Sequence, residues 1–270
     1  MARTEGGGVR PRKSLGQHFL HDRKLLEGFA DVAGVGPDDT VLEIGPGMGT
    51  LTEVLAGRAA RVVAVEIDHS LQDVLHDRLQ PFSNVTLVWG DILGLDLTDL
   101  PALSGPCIRV VANLPYYITS PILRKLLSSG FDFQTVTVLV QKELAQRLAA
   151  PCGSKQYGSL SALCQLVAQP RLAMTVSPHA FVPPPHVDSA LLHLDMRQPP
   201  LGQEELRRCL RVIDAAFANR RKQLSSALPG QLGLPKQVVQ QALQQAGIAG
   251  NARAEQLDRD AFLALTAALS

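Results

Sequence analysis

Much that would announce a function at once is missing from this chain. Neither charge sign dominates: 26 Lys and Arg face 25 Asp and Glu, a net +1. No global field therefore advertises a nucleic acid, and any basic surface must be local. No apolar run is long enough to span a bilayer, and the N-terminus lacks the apolar core of a signal peptide. The expectation is a soluble cytoplasmic protein with no membrane partner. Cys107, Cys152, Cys164 and Cys209 form no C-x-x-C pair and have no histidine at ligand spacing, so neither a metal site nor a disulfide framework is expected. There is no internal repeat. What is present is core material: 46% of the 270 residues are hydrophobic, ample for a packed domain and a small second one.

The chain is organised around residues 40–55. Thr40–Ile44 reads as a buried strand, Gly45-Pro46-Gly47-Met48-Gly49 as a turn, and Thr50–Leu55 as the start of a helix. Glycines accept positive φ and let a ligand approach bare backbone, and the helix N-terminus adds free N–H groups. The dinucleotide fingerprint G-x-G-x-x-G is absent, because the glycines alternate as Gly45-x-Gly47-x-Gly49 behind Glu43. This spacing resembles the first motif of S-adenosylmethionine-dependent methyltransferases. A dehydrogenase and a tight turn that binds nothing stay open at this point.

Further strands bring acids to the same edge. Arg61–Glu66 ends in a carboxylate about twenty residues past Gly45, where nucleotide folds place an acid against ribose hydroxyls. Val85–Trp89 runs into Gly90-Asp91-Ile92. In an open parallel sheet the strands' carboxyl ends form the ligand crevice, so Gly45, Gly47, Glu66 with Ile67, and Asp91 with Ile92 make a candidate cofactor set. A fourth strand, Cys107–Ala112, leads into Asn113-Leu114-Pro115-Tyr116-Tyr117. The exocyclic amine of a base is a poor nucleophile because its lone pair is delocalised into the ring. The Asn113 side-chain oxygen and the Leu114 carbonyl can accept both amino hydrogens, favouring a tetrahedral nitrogen and stabilising charge as it develops. Pro115 fixes φ, and Tyr116 offers a ring for an extruded base. Tyr117 is equally readable as a core residue.

Ahead of all this, Arg12-Lys13-Ser14-Leu15-Gly16-Gln17-His18-Phe19-Leu20 reads either as a basic arm before a packing helix or as a flap whose Gln17 and His18 reach a ligand. That flap wording, Leu42–Thr52, and Asn113-Leu114-Pro115-Tyr116 together resemble the ribosomal RNA adenine dimethyltransferase family. The likeness continues through Val140–Glu143, Tyr157–Ser161, Ala180–Ala190, Ala216–Leu224 and Arg253–Leu257, nearly the whole chain. The resemblance implies donor contacts at His18, Leu20, Gly45, Glu66, Asp91 and Asn113, and a base held between Tyr116 and Phe181. Members usually carry Asn where this chain has His18. It also implies S-adenosyl-L-methionine as cofactor and two adjacent adenosines near the 3′ end of small-subunit (16S) rRNA as substrate, each dimethylated at N6. No metal is expected. The partner implied is small-subunit rRNA or the assembling 30S subunit, with the protein acting as a monomer. The rivals are the related large-subunit enzyme of antibiotic resistance and a non-catalytic assembly factor.

Gln198-Pro199-Pro200 marks a boundary. The expected organisation is a disordered tail (1–12), a Rossmann-like α/β domain with its flap (13–197) and an α-helical domain (198–270). In the last, Leu206, Leu210, Ile213, Phe217, Leu224 and Leu228 recur at helical spacing as one buried face. Arg207, Arg208, Arg211, Arg220, Arg221 and Lys222 crowd the same stretch. Such a run is usually a solvated face; for an RNA enzyme it is the expected phosphate grip beside the crevice.

Overall fold

A computed structural model describes residues 12, 16–100, 103–105, 107–198 and 200–269. The expected disordered tail lies outside these apart from Arg12, as do Lys13, Ser14 and Leu15 of the flap. The chain opens with β1 (Phe19–Leu20), α1 (Arg23–Ala33), β2 (Thr40–Ile44), α2 (Thr50–Ala56) and β3 (Arg61–Glu66). It continues with α3 (Gln72–Leu79), β4 (Val85–Trp89), β5 (Ile108–Asn113), α4 (Thr119–Ser128), β6 (Thr135–Gln141) and α5 (Lys142–Ala149). Next come α6 (Ser159–Val167), β7 (Ala168–Val176), β8 (Phe181–Val182) and β9 (Ser189–Met196). Helices α7 (Gln203–Phe217), α8 (Leu224–Leu232), α9 (Lys236–Gln245) and α10 (Arg259–Ala268) complete it.

The first compact unit runs to Leu123 and takes in Phe131–Ala145 and Arg171–Met196. Its seven-stranded sheet has the order β4-β3-β2-β5-β6-β9-β7. Strands β4, β3, β2, β5 and β6 are mutually parallel and β9 is antiparallel to β6. Every residue of β2 is buried, as a central strand covered on both faces should be. Chain order reverses at β2: β3 and β4 follow on one side, β5 and β6 on the other. That switch point opens a crevice at the strands' carboxyl ends. Helix α1 shows how local chemistry sets an element. The Asp22 carboxylate caps it by accepting from the Lys24 and Leu25 N–H groups, and Gly34 ends it at φ 65°. Leu26, Phe29, Ala30 and Ala33 recur at helical spacing and are buried; Leu26 and Phe29 contribute roughly 1.5–3 kcal/mol each.

The second unit comprises Arg124–Gly130, Gln146–Pro170 and the chain from Arg197 onward. This corrects the expected division at residue 198. Tyr157, Ala162 and Leu166 are buried in one cluster with Leu206, Ile213, Leu224, Leu228 and Phe262, and that apolar packing draws the earlier segment in. Leu210 and Phe217 pack against the cluster half-buried.

Two features differ from the sequence expectation. Strand β7 has no periodic pattern to read: it carries Pro170 and lies at the end of the strand order, where neither face is uniformly buried. Strands β1 and β8 form a small antiparallel pair, Phe19 opposite Val182 and Leu20 opposite Phe181, tying the flap to a segment 162 residues further on.

Candidate active site

Strand register assembles the site. Glu43 lies opposite Val111 of β5 and Ala64 of β3, so two residues further along Gly45, Asn113 and Glu66 come level. Glu66 in turn pairs with Trp89, two residues before Asp91. Four strand ends thus deliver one glycine turn, one amide and two acids to a single edge. They line a cleft enclosing about 990 Å³ with its open mouth included, together with Gln17, His18, Leu20, Gly47, Ile67, Ile92, Leu114 and Tyr116.

The charge of this wall is informative. Glu43, Glu66 and Asp91 line it, and no Lys or Arg does among the described residues. The Glu66 and Asp91 carboxylates would repel a pyrophosphate there and suit a ligand that carries positive charge, a ribose and a base. Gly45 stands at φ 70° with nothing within 4 Å of where a Cβ would sit, whereas a Cβ on Gly47 (φ 57°) would meet the Phe19 ring at 2.9 Å. The first glycine leaves room for a ligand and the second lets the flap close down. Glu66 accepts from the N–H of Gly47 at 3.1 Å and of Asp68 at 2.8 Å. Burial raises its pKa, while those N–H groups pull the other way. Asp91 accepts from the Leu93 N–H through one oxygen. Ile67 is an exposed apolar side chain, suited to cover the face of a base.

Asn113 Nδ2 donates to the His18 carbonyl at 3.0 Å. The amino end of the amide is thereby engaged, which leaves Oδ1 as the end able to accept from a substrate amine. The Leu114 N–H donates to the Leu139 carbonyl, holding the turn onto β6. The Tyr116 hydroxyl and Ser189 Oγ share a hydrogen bond of 2.5 Å, and burial raises the phenol's pKa.

The flap is fastened at several points. Gln17 Nε2 donates to Asp68 at 2.8 Å, and Arg12 pairs with the same carboxylate at 3.2 Å. Burial tends to raise the Asp68 pKa, but Ser70 and Gln17 bound to it hold it lowered. Thr50 Oγ1 donates to the Leu20 carbonyl. Asp68 and Thr50 were not among the expected site residues; the legible signal for Asp68 was Asp68-His69-Ser70, a side chain capping the turn after a strand.

The structure sets several expected site residues in surroundings the sequence did not show. Phe181 is 2% exposed, packed in the core with Leu20, Leu26 and Phe29, and does not line the cleft. The ring that faces Tyr116 is His18, stacked at 5.6 Å between centroids with Nδ1 on the Pro183 carbonyl at 2.7 Å. In the second unit, Arg220 is engaged internally, binding Glu255 and the carbonyls of Lys155 and Tyr157, and Arg207 pairs with Glu204. Arg208, Arg211, Arg221 and Lys222 are exposed.

A Rossmann-like sheet whose switch-point cleft is acidic, glycine-floored and bordered by Asn-Leu-Pro-Tyr defines the class: an S-adenosylmethionine-dependent methyltransferase. Comparison with known proteins narrows this. A family model described as ribosomal RNA adenine dimethylase matches residues 8–270. The chain is 43% identical over 268 residues to ribosomal RNA small subunit methyltransferase A of Shouchella clausii, covering 97% of this chain and 90% of that protein. It is 44% identical to the protein of the same name from Ligilactobacillus salivarius, covering 97% and 91%. Among solved structures, a dimethyladenosine transferase from Plasmodium falciparum superposes with TM-score 0.76 at 25% identity, covering 92% of this chain and 96% of that one. The 23S rRNA methyltransferase ErmE follows at 0.69 and 30%, covering 93% and 99%. The chain belongs to the ribosomal RNA adenine dimethylase family.

Proposed function

We propose that this protein transfers methyl groups from S-adenosyl-L-methionine to N6 of two adjacent adenosines in the 3′-terminal hairpin of small-subunit rRNA, dimethylating both. The observation that carries the reading is that Asn113, Gly45 and Asp91 share one cleft whose wall bears carboxyls and, among the described residues, no Lys or Arg. The sulfonium supplies an already activated methyl group, so the protein's work is positioning and charge stabilisation. In this reading Glu66 takes the ribose hydroxyls, Asp91 the adenine amino group, Ile67 and Ile92 the ring faces, and the backbone at Gly45 and Gly47 the amino-acid moiety. Gln17, His18 and Leu20 close over it.

Asn113 Oδ1 and the Leu114 carbonyl accept the two hydrogens of the target amine. This turns its lone pair out of the ring's conjugation and stabilises the positive charge that grows on nitrogen during transfer. Tyr116 carries the base on its ring face. His18 covers that face in the free protein, so the base enters by displacing the imidazole. Phe181 supports this arrangement from the core, where its backbone pairs with Leu20.

The protein acts as a monomer in the cytoplasm on the assembling 30S subunit, gripping phosphates with Arg208, Arg211, Arg221 and Lys222. Higher identity to the small-subunit enzymes than to ErmE supports that substrate over the large subunit. The test is labelled-donor transfer to 30S and 50S particles from a strain lacking the modification, followed by identification of the methylated nucleotides. Dimethyladenosine confined to the small-subunit 3′ hairpin is expected; label only in 23S rRNA would overturn the assignment.

A further inference from the structure

Glu43 is 1% exposed, lines the cleft, and its Oε2 has no hydrogen-bond partner. Thr52, in the first turn of α2, is fully buried and its hydroxyl is likewise unpartnered. Buried polar atoms in native proteins are nearly all satisfied, so an orphaned carboxyl oxygen in the wall of a binding cleft, with a second orphan buried on the helix that follows the glycine turn, calls for a function. The surroundings of Glu43 decide which state its carboxyl takes. Strand β3 presents Ala64 beside it and Glu66 beyond, β5 presents Val111, and α2 presents Thr52. The charged group acting on it is Glu66, a like charge, and no described cation offsets it. Burial lifts the Glu43 pKa to about 8; the Thr52 hydroxyl, near it though outside hydrogen-bond geometry, pulls back part of that rise, and Glu66 adds a smaller lift. Glu66 differs, because the N–H groups of Gly47 and Asp68 favour its charged form. Two adjacent carboxyls thus have unlike environments, and Glu43 is the one that keeps its proton.

We propose that Glu43 reads the charge of the cleft's occupant: it is protonated in the free protein, ionises when the cationic donor binds, and regains its proton when the uncharged sulfide product takes the donor's place. The inference rests on the cleft being the donor site. A sulfonium brings a unit positive charge into a low-dielectric wall that holds no Lys or Arg among the described residues, which favours the carboxylate of Glu43. Methyl transfer removes that charge, and the ionised state loses its support. The proton passes to solvent on donor binding and returns from solvent afterwards, so the cycle balances. The consequence is a donor-over-product preference that grows with pH, which lessens product inhibition at neutral and higher pH.

The test is isothermal titration calorimetry of the full chain with S-adenosylmethionine and, separately, S-adenosylhomocysteine, at pH 7 in phosphate and in Tris. These buffers differ in ionisation enthalpy, so the difference in measured heat counts protons. Wild type is expected to release close to one proton more with donor than with product. Its donor Kd should fall up to ~tenfold per pH unit between pH 6 and 8, with product Kd nearly flat. Glu43→Gln, which keeps the shape of the neutral acid, should bind donor more weakly at pH 8 and lose both the proton difference and the slope. Thr52→Val should move the profile to higher pH and keep its slope. Equal proton counts for donor and product in wild type, or a slope that survives in Glu43→Gln, overturns the inference. Should wild type bind neither compound, the donor-site reading itself fails.

Discussion

Gly45 and Gly47 share positive φ but not surroundings, and alanine at each separates backbone strain from ligand contact. Gly45→Ala and Gly47→Ala both force an L-residue into the left-handed region, at roughly 1–2 kcal/mol each. At Gly45 the added methyl meets nothing within 4 Å; at Gly47 it meets Phe19 at 2.9 Å, with Leu20 next in chain pairing to Phe181. Overpacking of that kind adds about 1–3 kcal/mol, so Gly47→Ala should be destabilised by about 2–5 kcal/mol and Gly45→Ala by about 1–2. Donor binding should behave differently. On the proposed reading of the cleft the Gly45 methyl projects into the space the donor needs, and a steric cost of about 1–3 kcal/mol corresponds to roughly 5- to 150-fold weaker binding. Urea unfolding gives the first pair of numbers and calorimetry with S-adenosylmethionine the second. If Gly45→Ala bound the donor as wild type does, the donor would not lie against that backbone, and the reading of the cleft would be wrong.

Four further outcomes are expected. If Asn113 accepts from the target amine as proposed, Asn113→Ala should lower kcat in a ribosomal-particle assay by about 10²–10³, the cost of deleting one preorganised stabilising group. Donor affinity should change less than tenfold, so an equal loss in both would assign Asn113 to donor binding alone. Arg220→Ala breaks bonds to Glu255, Lys155 and Tyr157 and should lower stability by about 1–2 kcal/mol, discounted for partial exposure. Arg221→Ala and Lys222→Ala should instead leave melting unchanged and each reduce the salt dependence of RNA binding by about one phosphate contact. Finally, the Glu43 pKa in the folded chain, about 8, stands above the ordinary carboxylate value of roughly 4.3. Its contribution to stability is therefore fully present below that ordinary value and is lost as pH rises through about 8. Glu43→Gln should flatten this part of the profile measured by denaturant midpoints, and an unchanged slope would place the titration elsewhere.

The central strands were legible because their cause is local. Thr40–Ile44 and Arg61–Glu66 are short, mainly apolar runs closed by turn residues, and the structure gives them the same limits. The strand read as Cys107–Ala112 shifts by one residue to Ile108–Asn113, since end residues are settled by pairing rather than by pattern. The candidate site was legible for the same reason as the strands. In a parallel sheet the carboxyl ends converge, so a glycine turn, two terminal acids and an Asn-Leu-Pro-Tyr run must meet once the strands are ordered.

What the amino-acid sequence by itself determined is the chemistry available at that edge: which residues end each strand, and that no metal-ligand or dinucleotide pattern stands among them. Only the tertiary structure decided how those residues are used. Strand β8, paired with β1, carries Phe181 into the core while the backbone brings Pro183 to His18 and His18 to Tyr116. Arg220 is spent on backbone carbonyls more than sixty residues away, and Glu43 is left buried without a partner for one of its oxygens. Each of these depends on contacts between segments far apart along the chain. Periodicity and spacing carry no record of such contacts, because their energy exists only after the loops between them have closed.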